Sequence, residues 1–137
     1  MTGFEKTVDI IHRAMDASVV RRSVIANNIA NAETPNFKRS EVNFESELKR
    51  ALESEKQKPV LELALTNEKH IPNWRPKDYR DVQPRRVLDY ASQSRNNGNN
   101  VDAEQELMLS VQNQMLYTLL AHAETFEFAQ VNLALRG

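Results

Sequence analysis

The apolar positions of this chain concentrate at its two ends, where they recur with the period of an α-helix. From Phe4 to Ala30 they follow one another at spacings of three, four or seven residues, and no Gly or Pro interrupts them. This pattern predicts a helix over residues 4–30, about 40 Å long at about 1.5 Å per residue. The stripe consists of Phe4, Val8, Ile11, Met15, Ser18, Ile25 and Ile29.

The second long apolar pattern predicts a helix over residues 102–135. Asp102 is the expected N-cap, with Gln105 three residues later as in a capping box, and no Gly or Pro follows before Leu135. Its stripe also has three- and four-residue spacing. The residues of this stripe are Met108, Val111, Met115, Leu119, His122, Phe126, Ala129 and Leu133.

The composition of residues 31–100 predicts a loop, a short helix and an irregular arm. Asn31 is expected to take the left-handed conformation at the end of the first helix, and Pro35 disfavours helix at Thr34. A turn and an extended piece follow, and a short helix is predicted from Phe44 to about Glu55. Alternation predicts a short strand at Val60–Leu65 within an arm that several prolines interrupt.

The predicted fold class is all-α, with residues 1–137 forming a single elongated subunit. Heptad-like stripes suggest that the terminal helices pair as a coiled-coil-like bundle, with each other or with neighbours in a helical assembly. The C-terminal helix carries more apolar surface than a helical hairpin buries, and such a surplus usually marks an interface. The predicted interface residues are Val8, Ile11, Met15, Ile25, Ile29, Met108, Val111, Met115, Leu119, His122, Phe126 and Leu133.

Composition and charge exclude several classes of protein. The net charge of -1 gives no general attraction to nucleic acid or anionic lipid, and the basic stretch from Trp74 to Arg95 reads as a solvated or subunit-facing strip. No cysteine is present, and no segment approaches the roughly 20 apolar residues of a membrane span. The N-terminus has charges every few residues in place of the apolar core of a cleaved signal peptide.

The residues that carry chemistry do not cluster in any motif. His12, His70 and His122 lie in three different segments, and neither metal-ligand spacing nor a catalytic Ser/His/Asp pattern is present. With three glycines in the chain, no phosphate-binding loop is expected. The sequence therefore predicts no catalytic residue, no metal and no cofactor, and a protein that is not an enzyme.

A run of fourteen residues, Ile25–Lys38, resembles the signature of the bacterial flagellar axial proteins, which include the rod, hook and hook-junction proteins. The shorter segments 42–49, 65–71 and 97–102 are similar to rod proteins in particular, most closely to members of the proximal rod. The matching signature residues are Ala26, Asn27, Asn28, Ile29, Ala30, Asn31, Thr34, Pro35, Phe37 and Lys38.

This resemblance implies a structural subunit of the proximal rod, which polymerises into the drive shaft that transmits motor torque to the hook. The implied partners are copies of itself, other rod proteins in an axial tube, the base-of-rod adaptor FliE and the flagellar type III export apparatus. The implied location is the basal body, in the rod that crosses the periplasm, reached by export without a cleaved signal peptide. Neither nucleic acid nor a direct membrane span is implied.

Two points remain open at the level of sequence. The alternative function is a helical adaptor or chaperone-like protein of flagellar export that does not polymerise. For the signature, simple helix termination leaves Asn27 and Asn28 without a role, so we expect their amides to bond the backbone of neighbouring subunits and fix the register between them.

Overall fold

The computed structural model describes residues 3–56, 66–67, 69–70, 76–92 and 95–136. The chain divides into two compact units, residues 1–42 with 84–137, and residues 43–83. The elements are α1 (Gly3–Ala30), β1 (Ser40–Asn43), α2 (Glu45–Glu55), a 3₁₀ turn (Tyr79–Asp81), β2 (Arg85–Leu88) and α3 (Ala103–Arg136). The strand predicted at Val60–Leu65 lies outside the described residues.

Helix α1 ends through a series of tight turns, and the left-handed cap predicted at Asn31 is wrong. The backbone N–H of Asn31 still bonds the carbonyls of Asn27 and Asn28, at 3.2 and 3.1 Å, and Thr34 then bonds Asn31 at 3.0 Å. Among the described residues other than glycine, a positive φ occurs at Asn36, where it is 60°. The left-handed residue therefore lies six positions beyond Ala30, the last residue of α1.

Helix α3 starts at the predicted cap. The carboxylate Oδ1 of Asp102 accepts the backbone N–H groups of Glu104, at 3.0 Å, and Gln105, at 3.4 Å. These are two of the N–H groups that the first turn of a helix leaves without an internal partner. From there the helix runs unbroken for 34 residues.

Helices α1 and α3 pack against one another in antiparallel orientation. The rings of Phe4 and Phe128 meet edge to face with centroids 5.5 Å apart. Further along, His12 Nε2 lies 2.7 Å from Glu124 Oε1, and the amide of Asn113 donates to the carbonyl of Ser18 at 2.9 Å. Moving along α1 from Phe4 to Ser18, the contacting residues on α3 move backward from Phe128 to Asn113. The two helices are therefore antiparallel.

A two-stranded sheet of β1 and β2 accompanies the helix pair, so the protein is mostly helical and not purely α. The N–H of Asp89, just after β2, bonds the carbonyl of Arg39, just before β1, at 3.0 Å, which requires antiparallel strands. The extended piece predicted before Phe44 is β1. Strand β2 was not predicted, because Arg85-Arg86-Val87-Leu88 has no alternation of polar and apolar residues.

The second unit contains α2, which matches the predicted short helix. Ala51 and Ser54 are its buried residues. The Ser54 hydroxyl donates to the carbonyl of Ala51 at 2.7 Å and accepts the backbone N–H of Lys77 at 2.9 Å. Tyr79 is buried, and the Arg80 guanidinium lies 5.8 Å from the centre of its ring. The bond between Ser54 and Lys77 joins α2 to the segment just before the 3₁₀ turn.

Candidate functional site

The end of α1 meets the start of α3 in a buried polar cluster, which we call the helix junction: Asn28, Arg39, Asn99, Asn100 and Glu106. All five side chains lie below 9% exposure although each is polar or charged. Buried polar groups lower stability unless they are hydrogen-bonded. The partners of each group therefore decide what the junction does.

Asn28 occupies the position that a neighbouring strand would take beside β1. Its Nδ2 donates to the carbonyl of Ser40 at 2.8 Å, and its Oδ1 accepts the N–H of Ser40 at 3.0 Å. The second Nδ2 hydrogen goes to Glu106 Oε2 at 3.1 Å. A carboxamide at this distance from the backbone replaces a peptide group, so Asn28 closes the outer edge of β1 and joins it to both helices.

Arg39 and Glu106 form the charged centre of the junction. Arg39 Nε donates to Glu106 Oε1 at 2.9 Å, and its Nη1 donates to Glu41 Oε1 at 2.6 Å and to Asp89 Oδ2 at 3.2 Å. Burial acts to lower the pKa of Arg39, but the hydrogen bond and charge of Glu106, with Glu41 and Asp89, outweigh it and raise the pKa. The guanidinium is therefore held charged between three carboxylates.

Asn100 closes the end of the sheet beside this charge cluster. Its Oδ1 accepts the N–H of Arg39 at 2.7 Å, and its Nδ2 donates to the carbonyl of Asp89 at 2.8 Å. The carboxylate of Asp89 accepts the Ser92 hydroxyl and the backbone N–H groups of Ser92 and Ala91. These bonds, the Ser92 hydroxyl foremost, and Arg39 lower the pKa of Asp89 to about 2. Asp89 therefore stays ionised beside Arg39.

Asn99 satisfies the backbone that follows α1. Its Nδ2 lies 2.8 to 3.0 Å from the carbonyl oxygens of Asn31, Ala32 and Thr34, and its Oδ1 accepts the N–H of Val101 at 2.7 Å. The last carbonyls of a helix have no partner within the helix. One buried side chain from the loop before α3 thus bonds three carbonyls in the turns that follow α1.

The loop before Asn99 approaches the signature segment closely. Asn36 donates its N–H to the carbonyl of Asn97 at 2.9 Å, and Lys38 Nζ bonds the carbonyl of Gly98 at 2.7 Å. Gly98 has a φ of 77°, and a Cβ atom there would lie 2.4 Å from Asn36 Oδ1. Position 98 therefore favours glycine for its backbone conformation, and a larger residue there would also displace the Asn36 side chain.

The hypothesis that Asn28 bonds a neighbouring subunit is wrong. Its exposure is 0%, and all its polar atoms are occupied within the chain. Asn27 is exposed, its Oδ1 accepting from Arg86 Nη2 at 3.4 Å, so an inter-subunit role for its amide stays a prediction. The other signature residues are partly or fully exposed: Ala26, Ile29, Ala30, Asn31, Thr34, Pro35, Phe37 and Lys38.

Sequence reasoning did not identify Arg39, Asn99, Asn100 or Glu106 as a cluster. A signal was available for the two asparagines, because Asn97–Asp102 resembles the rod proteins just before their C-terminal helix. Glu106 had a weaker signal, since its place in the first turn of α3 accounted for a carboxylate by helix-dipole stabilisation alone. No local pattern pairs Glu106 with Arg39, 67 residues away.

The predicted interface residues fall into two groups in the structure. On α1, Ile11 and Ile25 are 8% and 5% exposed and belong to the chain's own core, a correction to their prediction as interface residues. Val8, Met15 and Ile29 are half-buried, and His122 is exposed. On α3, the remaining six are between 55% and 75% exposed: Met108, Val111, Met115, Leu119, Phe126 and Leu133.

These six side chains, which we call the α3 face, point away from α1. The α3 residues buried against α1 are Glu106 and Asn113, and Met108 and Met115 each follow one of them by two positions. Two residues correspond to roughly 200° around a helix of about 3.6 residues per turn. The face is therefore mainly apolar, runs along the helix with His122 among its exposed positions, and is turned to solvent.

Within the part of the chain that the structure describes, no group of His, Asp and Glu side chains could hold a metal ion. In those same ranges, no helix combines the length and apolarity that a membrane span requires.

The comparisons with known proteins agree with the resemblance in the signature. Residues 12–38 match the family model for the flagella basal body rod protein. The flagellar basal body rod protein FlgB of Borreliella burgdorferi is 46% identical to this chain over 99% of its length and 100% of the relative. The chain belongs to the flagellar basal body rod protein family, and is of the FlgB type.

Two further rod proteins of the FlgB type show how far the similarity extends. That of Borrelia hermsii is 45% identical over 99% of this chain and all of the relative. That of Bacillus subtilis is 28% identical over the whole chain and 98% of the relative. Rod proteins of this family are structural components of the flagellar basal body and not enzymes, and they assemble with other basal-body components.

Proposed function

We propose that this rod protein is a structural subunit of the flagellar proximal rod that polymerises through the α3 face. The observation that carries the proposal is the exposure of six large apolar side chains on the side of α3 opposite α1. An apolar stripe of this kind on a chain related to rod proteins over its full length is best explained as an interface with neighbouring subunits.

The energy available from this face is adequate for assembly. Burying one fully exposed large apolar side chain contributes about 1.5–3 kcal/mol, and proportionally less for these side chains, which are 55% to 75% exposed. Several such side chains together offset the loss of translational and rotational freedom on association, about 4–15 kcal/mol. The interface becomes favourable when most of the α3 face is covered by a neighbour.

A face that meets a different surface of its neighbour produces an open helix of subunits. The proposed neighbours are copies of this chain and other rod proteins, whose terminal helices pack in a coiled-coil-like bundle within an axial tube. The base-of-rod adaptor FliE and the flagellar type III export apparatus are further proposed partners. On this proposal the subunit is exported without a cleaved signal peptide and transmits torque as part of the rod crossing the periplasm.

The alternative of an adaptor or chaperone-like protein that does not polymerise is not favoured. Relatives similar over the whole length of the chain are rod proteins. The exposed stripe also extends along α3 from Met108 to Leu133, which is more surface than one small partner needs.

The test is a charge on the α3 face. Leu119→Asp and Phe126→Asp each place a carboxylate where a neighbour is proposed to bury the side chain, at a cost of several kcal/mol. We expect normal helicity by circular dichroism, no rods in isolated basal bodies and loss of swimming.

The matched control is Gln114→Asp, which places the same carboxylate on an exposed position of α3 displaced roughly 100° from the α3 face. It should leave rods intact. Normal rods and normal swimming with Leu119→Asp would show that the α3 face is not an interface.

A further inference from the structure

The described residues cover the two outer edges of the small sheet unequally. Asn28 closes the outer edge of β1, and Asn100 closes the end of the sheet between Arg39 and Asp89. Sheet order is β1-β2, so the described residues provide no third strand. The outer edge of β2 is the boundary that no side-chain amide of the described residues closes.

The alternation of an antiparallel ladder identifies which groups face this edge. Because Arg39 and Asp89 face each other, positions 87 and 85 also direct their backbone groups toward β1. Arg86 and Leu88 then direct their N–H and C=O groups away from β1. Ser40 on β1 shows the same geometry, with its backbone groups turned outward to Asn28.

The side chains of β2 are exposed on both faces of the strand. All four residues are exposed, with Val87 at 49% and Leu88 at 47%, and Tyr90 just beyond is at 75%. Proteins usually protect such an edge, because unpaired backbone groups beside apolar side chains form a template for another strand.

The charge of this edge is positive. Arg85 and Arg86 are exposed, and neither forms an ion pair with a described residue. The nearby carboxylates of Glu41 and Asp89 are bonded to Arg39. Arg86 also donates to Asn27 Oδ1 at 3.4 Å, so an incoming strand would meet two guanidinium groups that no described carboxylate neutralises.

We propose that this β2 edge, formed by Arg85, Arg86, Val87, Leu88 and Tyr90, is a strand-addition site for an extended acidic segment of a neighbouring protein. The outward backbone groups of Arg86 and Leu88 bond the incoming strand. Its carboxylates lie on the face that Arg85 shares with Val87 and pair with Arg85, and its alternate apolar side chains lie on the opposite face and pack on Leu88 and Tyr90. The site is separate from the α3 face and does not depend on polymerisation.

The test uses a fluorescein-labelled short peptide of alternating Glu and Val, titrated into the full chain with fluorescence anisotropy as the readout. We expect saturable binding that weakens with added salt, and no binding of the matching Lys and Val peptide. Arg85→Gln should weaken binding by about tenfold, since the charged partner of the peptide carboxylates is lost.

The backbone contribution is tested by Leu88→Pro, which removes an outward N–H and leaves the bonds of β2 to β1 in place. Binding should weaken by about fivefold, the effect of one hydrogen bond, while Leu88→Val should stay within about twofold of the unchanged protein. If Leu88→Pro fails to fold by circular dichroism, the same question is put to the unchanged protein with a Glu and Val peptide N-methylated at every residue. This peptide has no free backbone N–H on either edge and should not bind.

Three results would overturn the proposal. One is equal affinity for the N-methylated and unmethylated peptides, and another is equal affinity for the acidic and basic peptides. The third is a dimer in sedimentation analysis that Leu88→Pro abolishes and the acidic peptide cannot disrupt, because the occupant of the edge would then be a second copy of this chain.

Discussion

The helix junction and the α3 face both belong to the unit built on α1 and α3, and they differ in which side chains are exposed to solvent. In the junction, polar side chains are buried and bonded within the chain, down to 0% exposure for Asn28 and Asn99 and 1% for Glu106. On the α3 face, apolar side chains are more than half exposed. The polar region is therefore internal and the apolar region external, the reverse of the usual arrangement in a soluble domain.

This difference separates the motif that identifies the family from the surface that is proposed to assemble. The fourteen-residue signature suggested an inter-subunit role because its asparagines exceed what helix termination needs. Asn28 shows instead that the excess organises the subunit, since its amide bonds a strand and a second helix. Changes in the junction should therefore act on folding, and changes on the α3 face on assembly.

The largest expected effect comes from breaking the buried ion pair with Arg39→Met. This change leaves Glu106, which is 1% exposed, without its cationic partner. Removing one member of a buried pair typically lowers stability by 3–5 kcal/mol, so we expect the free energy of unfolding to fall by about that amount. Urea unfolding followed by circular dichroism measures it.

The matched control is Arg22→Met, because Arg22 is an exposed arginine on α1. Its free energy of unfolding should stay within about 0.5 kcal/mol of the unchanged protein. A loss below about 1 kcal/mol for Arg39→Met would remove the distinction between the junction and the exposed surface.

A smaller effect is expected for Asn28→Ala. The change removes three hydrogen bonds and leaves the buried backbone groups of Ser40 without partners. The free energy of unfolding should fall by about 2–3 kcal/mol, measured as before. Asn27→Ala, at the exposed neighbour, should change it by less than about 0.5 kcal/mol. Equal effects of the two changes would mean that the amide of Asn28 contributes nothing specific to folding.

The smallest effect concerns the rim of the junction and appears at low pH. The pKa of Asp89 is lowered to about 2 in the folded protein, against about 3.9 in an unfolded chain. The unfolded state therefore takes up the proton first, so the contribution of Asp89 to stability is complete above about pH 4 and declines toward about pH 2.

Urea midpoints measured across this range should fall less steeply for Asp89→Asn than for the unchanged protein. Ser92→Ala, which removes the hydroxyl bonded to Asp89, should show part of the same change. An identical pH dependence in all three proteins would exclude Asp89 as a source of acid sensitivity in the junction.

The features that could be predicted from the sequence are those formed by residues close together along the chain. Both long helices repeat an apolar period over many residues, and the cap at Asp102 involves N–H groups two and three positions away. Such local features are visible in one segment of sequence. The α3 face was also predictable, because its stripe needs only the helical period and an excess of apolar side chains.

The junction was not predictable because its partners are far apart and its chemistry is invisible to hydropathy. Arg39 could pair with any of many carboxylates, and nothing local selects Glu106. A carboxamide that replaces a peptide group, as in Asn28, looks in sequence like a residue that ends a helix. Strand β2 was missed for a related reason, because its exposed residues on both faces remove the alternation that marks a half-buried strand.

The bond between Asn28 and Glu106 also sets the order in which the chain can fold, since it joins residues 78 positions apart. Contacts so distant form slowly, because a long loop must close before any bond forms. The bonds from Asn99 to the carbonyls that follow α1 also join distant residues, up to 68 positions apart. A chain emerging from the ribosome with its N-terminus first therefore gains the side-chain bonds at the end of its first helix only after most of the polypeptide has been made.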